Sequence, residues 1–140
     1  MQTLIVVRHA KAESSHLHER DFDRPLTWQG AEDAKAAAAK LVERSPQIPS
    51  IVASPSARTR ATAEIIAMAY GLQAEVVRFD ERIYDASLET LQRIVSELDA
   101  LDGAVVLVGH NPGVLELCYV LTSGRVTSMS TSAVVEIPMV

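Results

Sequence analysis

Short apolar runs alternate along the chain with longer segments in which apolar residues recur every three or four positions. The short runs predict five β-strands, at residues 4–7, 51–53, 75–79, 104–108 and 133–139. The strongest runs are apolar at successive positions, which is typical of strands that are covered on both faces. We therefore expect a buried central sheet.

The longer segments predict amphipathic helices that connect the strands. The apolar positions are Ala31, Ala34, Ala38 and Leu41 in one segment, and Leu88, Leu91, Ile94 or Val95, Leu98 and Leu101 in another. Alternation of strands with helices predicts an α/β fold, a three-layer α/β/α sandwich with a mostly parallel central sheet. Residues 1–140 contain no repeat, linker or low-complexity tract, so we predict a single domain.

The composition is that of a globular protein, and it restricts the partners. Apolar residues make up 48% of the chain and charged residues 22%, far from the composition of a disordered protein. The formal net charge of −5 argues against general binding to nucleic acid or to anionic membranes, because such proteins present a basic face. A phosphate site remains possible, since it needs only a local cluster of positive charge.

The N-terminal sequence and the single cysteine predict the cellular environment. The first apolar run follows no basic stretch and is too short for a signal peptide, and no run approaches the length of a membrane span. We therefore expect a cytoplasmic protein, and we expect it to be a monomer. Cys118 is the only cysteine, so an internal disulfide is impossible, and its apolar neighbours predict a buried, inert thiol.

Two histidines directly follow two of the predicted strands. Arg8 and His9 follow the strand at 4–7, and His110 follows the strand at 104–108. Ligands of open α/β sheets bind at the carboxyl ends of the strands, so both imidazoles are expected at the same edge. A lone histidine there would be interpreted as a packed core residue, whereas the pair favours a functional site.

The segment Ser54-Pro-Ser-Ala-Arg58 follows the strand at 51–53 and opens a predicted helix. Ser54 is the expected N-cap, and Pro55 the expected first helical residue. A helix start offers free N–H groups and a positive dipole, which favour anions. Arg58 in the first turn adds a guanidinium that can hold two phosphoryl oxygens.

Two further segments are expected at the same pocket. Asn111 and Pro112 repeat the cap-then-proline pattern after the second histidine, which makes Asn111 a candidate for substrate binding. Residues 10–26 form a long polar connection, and such loops are often functional. Arg24 near its end could swing over the pocket, although alone it would be interpreted as a solvated loop arginine. Thr27 is expected to cap the following helix.

The loop also contains a His-x-His pair, His16 and His18, which with Glu13 or Glu19 could in principle bind a metal ion. Spacing this short is common by chance. We therefore predict that the loop is an exposed cover and that the protein has no metal site.

Four segments of the chain occur in an order that is known from one enzyme family. They are Val7-Arg-His-Ala10, Arg24-Pro-Leu-Thr27 with Gly30, Ser54-Pro-Ser-Ala-Arg58 with Thr62-Ala63, and Gly109-His-Asn-Pro112. In this order they resemble the histidine phosphatase superfamily, the phosphoglycerate-mutase-like group, and within it the short SixA-type phosphohistidine phosphatases. One departure is Ala10, where the superfamily's best-known motif has glycine.

The resemblance implies a role for each matched residue. His9 is the implied nucleophile, with Arg8, Arg58 and His110 around the phosphoryl group and Arg24 at the substrate. No cofactor is expected, because the arginines and His110 carry the charge stabilisation. Mutase-like relatives use a glutamate between the second arginine and the second histidine as the proton donor.

The proton donor is the part of the site that the motifs leave open. In the corresponding stretch, Asp85 is the nearest candidate by spacing and Glu81 the next. Either one could equally be an ordinary loop carboxylate. A site without a committed acid would favour phosphohistidine or an acidic leaving group, because a protonated imidazole leaves as a neutral group and needs less help from a proton donor.

We therefore predict a phosphatase that hydrolyses phosphohistidine, or a related phosphomonoester, through a covalent phospho-His9 intermediate. Its expected partner is a phosphorylated protein carrying a phosphohistidine domain, or a small phosphate ester. One alternative is a small-molecule phosphomonoesterase for a sugar phosphate or a nucleotide. The short chain disfavours it, because little insertion is available to build a substrate cap. An alternative of another class is a non-catalytic phosphate-binding module.

Overall fold

The computed structural model describes residues 1–139 and places five strands in one sheet. The strands are β1 (Thr3–Arg8), β2 (Ser50–Ala53), β3 (Arg78–Phe79), β4 (Ala104–Gly109) and β5 (Val134–Pro138). Their order across the sheet is β3-β2-β4-β1-β5. All neighbouring strands are parallel except β5, which runs antiparallel to β1. The mostly parallel sheet predicted from the apolar runs is therefore confirmed.

Four helices cover the two faces of the sheet. They are α1 (Trp28–Arg44), α2 (Ala57–Ala69), α3 (Leu88–Leu98) and α4 (Gly113–Leu121). Successive side chains of a strand point to opposite faces. Accordingly, Ile5 of β1 lies in a buried cluster with residues of α1 and α2, and Leu4 lies in one with residues of α3 and α4. This arrangement is the predicted three-layer α/β/α sandwich.

The strand predicted at 75–79 is shorter than expected. Residues Ala74–Val76 form a 3₁₀ turn, and only Arg78 and Phe79 pair with β2. Because β3 lies at the edge of the sheet, it has only one neighbouring strand to hold it in extended conformation. The helix predicted from the apolar positions between Leu88 and Leu101 also ends early, at Leu98, and Leu101 packs against the core from the turn that follows.

The start of α2 differs from the prediction. The N-cap is Ser56, whose Oγ accepts a hydrogen bond from the amide of Thr59 at 3.4 Å, and the predicted cap Ser54 lies outside the helix. The amide of Ser54 donates to the carbonyl of Val108 at 3.1 Å, so Ser54 continues the pairing of β2 with β4. Pro55 also disfavours helical backbone at the residue before it.

The start of α4 differs as well. The helix begins at Gly113, and Pro112 occupies the N-cap position without a side-chain hydrogen bond. Asn111 was the expected cap. Its amide nitrogen Nδ2 instead donates to the carbonyl of Met129 at 3.0 Å. Asn111 therefore anchors the segment that follows α4.

The predicted cap of α1 and the predicted state of Cys118 are both confirmed. Thr27 Oγ1 accepts from the amide of Gly30 at 2.9 Å. Gly30 packs directly on the carbonyl oxygen of Lys11, where a Cβ would clash, so the start of α1 is fixed against the start of the polar loop. Cys118 is fully buried, and burial raises the pKa of its thiol to about 11.

No helix within residues 1–139 combines the length and the hydropathy that crossing a bilayer requires.

Candidate active site

The adjacent parallel strands β1 and β4 bring two histidines together at their carboxyl ends. The register pairs Arg8 with Gly109, and a histidine follows each of them. The amide of His9 donates to the carbonyl of Gly109 at 3.1 Å. The ring centroids of His9 and His110 are 5.5 Å apart, and each residue is 8% exposed. The expected convergence of the two imidazoles is therefore present.

One hydrogen bond fixes the tautomer of His9. Its Nδ1 lies 2.7 Å from the carbonyl oxygen of Ala10. A carbonyl can only accept, so Nδ1 carries the ring proton and Nε2 keeps its lone pair. Burial is the main reason that the pKa of His9 falls to about 4, and the positive charges of Arg58 and Arg8 lower it further. The hydrogen bond to Ala10 acts in the opposite direction but is outweighed. At neutral pH, Nε2 is therefore available as a nucleophile.

The turn that holds His9 is itself tied to α2. The amide of Ala10 donates to Thr62 Oγ1 at 3.0 Å, and the Thr62 hydroxyl donates to the carbonyl of Arg58 at 2.8 Å. Ala10 and Thr62 are both buried. The position of His9 and the position of Arg58 are thus coupled through one hydroxyl group.

Ser54 orients His110. Ser54 is fully buried, and its Oγ lies 2.8 Å from Nε2 of His110. The same Oγ accepts a long hydrogen bond from the amide of Ser56 at 3.5 Å, and among residues 1–139 its hydroxyl proton has no acceptor other than Nε2 of His110, to which we assign it. Nε2 then accepts, and the ring proton lies on Nδ1, which has no partner among residues 1–139. Burial and the charge of Arg58 lower the pKa of His110 to about 3, so the ring is a neutral donor.

Two arginines near His9 are anchored through their terminal nitrogens. Arg58 Nη1 donates to the carbonyl of Asp21 at 2.8 Å, and Nη2 donates to Asp21 Oδ2 at 2.9 Å. Arg8 Nη1 donates to the carbonyl of Met129 at 3.0 Å. In both guanidinium groups Nε is buried and has no partner within the described chain. Leaving such a donor unpaired costs about 1–3 kcal/mol.

Asp21 was not expected at the site. Its carboxylate accepts hydrogen bonds from three residues on three segments: Arg58 at 2.9 Å, Arg24 Nε at 3.0 Å and the hydroxyl of Tyr84 at 2.7 Å. Burial alone would raise the pKa of Asp21, but hydrogen bonds from Tyr84, Arg58 and Arg24 outweigh it and hold that pKa well below its usual range. Only its membership of the long polar loop could have indicated Asp21 from the sequence.

Arg24 is held in place within the loop. Besides its contact with Asp21, its Nη1 donates to the carbonyl of Glu13 at 2.9 Å. The charge of Arg24 contributes to the lowered pKa of both His9 and His110, so it lies within electrostatic reach of the two rings.

A cavity of about 310 Å³ opens beside Arg58 and His110, and His9, Arg8 and Arg24 lie outside its lining. It is lined by Asp21, Arg58, Tyr84, Asp85, His110 and Asn111. The ring of Tyr84 meets His110 edge-on with 5.4 Å between centroids, and Phe22 meets Tyr84 at 5.3 Å. Both candidate proton donors are exposed, but Asp85 lines the cavity and Glu81 lies outside its lining.

The His-x-His pair of the loop does not form a metal cluster in the described structure. His18 Nε2 lies 2.8 Å from Glu13 Oε1, and His16 is exposed. Across residues 1–139, no three histidine, cysteine, aspartate or glutamate side chains lie close enough together to hold a metal ion.

Sequence comparisons connect the chain to one family and to two proteins without a described activity. The family model for the histidine phosphatase superfamily, branch 1, matches residues 4–102. An uncharacterized chloroplastic protein of Arabidopsis thaliana is 30% identical over 139 residues, which are 93% of this chain and 63% of that protein. An uncharacterized protein of Picosynechococcus is 32% identical over 124 residues, which are 87% of this chain and 74% of that protein. The chain thus spans less than two thirds of the plant protein.

Solved structures share the fold over almost the whole chain. A SixA protein of Agrobacterium tumefaciens, assigned as a phosphohistidine phosphatase, superposes with a TM-score of 0.85 at 26% identity and covers 98% of this chain and 91% of that one. The protein histidine phosphatase SixA complexed with tungstate gives 0.84 at 20% identity, covering 96% and 86%. A mycobacterial glucosyl-3-phosphoglycerate phosphatase in complex with VO₃ gives 0.74 at 22% identity, covering 97% and 90%. At these lower identities the last two show the fold alone.

Proposed function

The chain belongs to branch 1 of the histidine phosphatase superfamily, and from this membership we propose that it hydrolyses phosphohistidine through a covalent intermediate on His9. One observation carries the proposal. The unprotonated Nε2 belongs to a ring whose centroid lies 5.5 Å from that of His110 and within electrostatic reach of Arg8 and Arg58. These three neighbours hold buried donors, Nε of Arg8, Nε of Arg58 and Nδ1 of His110, that have no partner in residues 1–139. Three hydrogen-bond donors on positively charged or polar side chains suit the three equatorial oxygens of a phosphoryl group during its transfer.

The proposed reaction has two in-line steps. Nε2 of His9 attacks phosphorus, the bond from phosphorus to the leaving group breaks, and the phosphoryl group is carried on His9. Water then attacks phosphorus, the bond to Nε2 breaks, and inorganic phosphate leaves with the neutral imidazole restored. In both steps the N–H groups of Arg8, Arg58 and His110 stabilise the charge on the equatorial oxygens. The arginines supply the positive charge that a metal ion provides in other phosphatases.

The leaving group is the basis for proposing phosphohistidine. Expelling an alkoxide requires a proton donor, and Asp85 is the candidate among the residues that line the cavity. The imidazole of phosphohistidine leaves as a neutral ring when its other nitrogen is protonated. The SixA protein of Agrobacterium, which is similar over nearly the whole length of both chains, is assigned as a phosphohistidine phosphatase and supports the same substrate class.

A panel of substrates tests this choice. We expect kcat/KM for a phosphohistidine peptide to exceed that for an unactivated alkyl phosphate by about 100-fold or more, the usual contribution of a general acid. Phosphate release is the measurement. The control substrate is p-nitrophenyl phosphate, whose leaving group also departs without protonation and which should be hydrolysed. Comparable turnover of the peptide and the alkyl phosphate would contradict the proposal.

A second candidate function is hydrolysis of a small phosphate ester, such as a sugar phosphate or a nucleotide. The cavity of about 310 Å³ lies within the size range of small-ligand sites. The same panel separates the candidates, because a dedicated esterase would prefer one small ester over the phosphohistidine peptide.

A buried serine offers a further test of the site. We expect Ser54→Ala to lower kcat about 5- to 30-fold, the effect of 1–2 kcal/mol, because His110 loses the hydroxyl that fixes its tautomer. Initial rates with p-nitrophenyl phosphate measure the change.

Ser56→Ala is the matched control, since it removes another fully buried hydroxyl that contacts Thr59 and caps α2. It should lower the melting temperature and leave kcat near the wild-type value. Equal loss of kcat in both variants would disprove the role of Ser54.

A further inference from the structure

We propose that Asp21 is a positioning residue that sets the orientation of Arg58 and Arg24 toward the phosphoryl group. The proposal rests on the proposed function. Asp21 lies in the 3₁₀ turn Asp21–Asp23 of the polar loop. Its carboxylate joins this loop to Arg58 on α2 and to Tyr84, which follows the turn Glu81–Ile83. One side chain therefore connects three segments around the cavity.

The contact with Arg58 fixes the plane of the guanidinium group. The carbonyl and Oδ2 of Asp21 each accept from one terminal nitrogen, at 2.8 and 2.9 Å. Two acceptors on one residue hold a planar fork more firmly than a single contact does. The side chain of Arg58 is 6% exposed and that of Asp21 is 47% exposed, so the buried cation depends on a loop residue for its ion pair.

The contact with Arg24 extends the same effect within the loop. Oδ1 of Asp21 accepts from Arg24 Nε at 3.0 Å, while Arg24 Nη1 is tied to the carbonyl of Glu13 at 2.9 Å. The guanidinium of Arg24 is thus held at two atoms. Without Asp21, one of these anchors would be lost, and the long side chain would gain rotational freedom.

The pattern of contacts distinguishes positioning from competition for the site. A carboxylate that replaced the phosphoryl group would be expected to occupy the donors that surround His9. Asp21 instead takes the terminal nitrogens of Arg58, and the Nε atoms of Arg58 and Arg8 and the Nδ1 of His110 stay unpaired in the described chain. Asp21 therefore leaves these three donors unoccupied, which favours positioning, and the vanadate measurement below separates positioning from competition.

The test compares Asp21→Asn with Asp23→Asn. Asp23 lies on the same turn, and its ion pair with Arg20 is long, 3.7 Å, and exposed, so its variant removes the same charge without touching the site. We expect Asp21→Asn to lower kcat with p-nitrophenyl phosphate by about 100-fold, the scale of a small misplacement of catalytic groups, with a smaller change in KM. Affinity for vanadate, a mimic of the five-coordinate transition state, should fall in parallel. Asp23→Asn should match the wild type in each measurement.

Asp21→Ala should lose more activity than Asp21→Asn, because the amide oxygen of asparagine can still accept from Arg58 and Tyr84. A merely structural role would lower the melting temperature of both variants without this graded loss of kcat. If Asp21→Ala does not fold, the asparagine variant decides.

Two results would overturn the proposal. In the first, Asp21→Asn and Asp23→Asn have the same kcat and the same affinity for vanadate. In the second, Asp21→Asn binds vanadate more tightly than the wild type, which would make Asp21 a competing anion. Failure of the proposed function has a different signature. The wild type would then release no phosphate, and vanadate affinity in the two variants would still decide the role of Asp21.

Discussion

Replacing His9 with alanine is expected to abolish phosphate release and covalent labelling of the protein together. Nε2 of His9 is the atom that bonds to phosphorus in the proposed reaction, and its lone pair is preserved by the hydrogen bond between Nδ1 and the carbonyl of Ala10. The other imidazole of the site, His110, has its Nε2 occupied by Ser54 at 2.8 Å and cannot take over attack from that atom. We expect kcat to fall by about 10⁴-fold or more, as when other nucleophiles are removed.

Two measurements check this result. One is phosphate release, and the other is incorporation of ³²P from labelled substrate, where the label should be stable to base and labile to acid. His16→Ala is the matched control, because His16 is an exposed histidine of the polar loop. It should retain both activity and label. Full activity in His9→Ala would show that the nucleophile is wrongly assigned. A wild-type protein that binds phosphate but neither releases it from substrate nor takes up label would be a non-catalytic phosphate-binding module.

Replacing Arg58 with alanine is expected to lower kcat/KM by about 10²- to 10³-fold, the cost of losing one preorganised donor to a developing oxyanion. The side chain is 6% exposed, so its charge acts in a poorly hydrated environment where electrostatic interactions are strong. Its Nε is a buried donor without a partner in residues 1–139, and its charge also contributes to keeping His9 unprotonated. The substitution removes all three contributions.

Steady-state kinetics with p-nitrophenyl phosphate measure the loss. The control is Arg60→Ala on the same helix, because Arg60 is exposed and its guanidinium lies 4.0 Å from the ring centroid of Phe79. We expect kinetics near the wild type from that variant. Arg58→Lys should recover only part of the activity, since lysine keeps the charge but lacks the planar fork. A drop of about tenfold or less in Arg58→Ala would be too small for the proposed role.

The layers of the fold were predictable because the pattern that encodes them is local. Successive residues of β1, such as Leu4 and Ile5, are apolar because each face of the sheet carries a layer of helices. The meeting of His9 with His110 was predictable for the same reason, since strands of one parallel sheet end at one edge. Periodicity and strand ends are properties of short segments, and the sequence displays them directly.

The remaining contacts depend on chain paths that no local pattern specifies. Ser54 was predicted to cap α2, but β2 extends one residue further in its pairing, and the hydroxyl meets His110 instead. Asp21 belongs to a loop without periodicity, so its meeting with Arg58 follows from how that loop folds back over the helix. Asp85 and Glu81 could not be distinguished from the sequence for a related reason, because the position of Asp85 at the cavity depends on the turn before α3.

The carbonyl of Met129 has a consequence for how this site can change during evolution. It accepts from Nη1 of Arg8 and from Nδ2 of Asn111, both at 3.0 Å, and so anchors two residues of the site through the main chain. Every amino acid supplies a carbonyl, so these two hydrogen bonds place no requirement on the residue type at this position. The side chain there is constrained only by its packing in the core. Descendants of this protein could therefore exchange the residue at position 129 for another that packs in the core and still retain both hydrogen bonds beside His9.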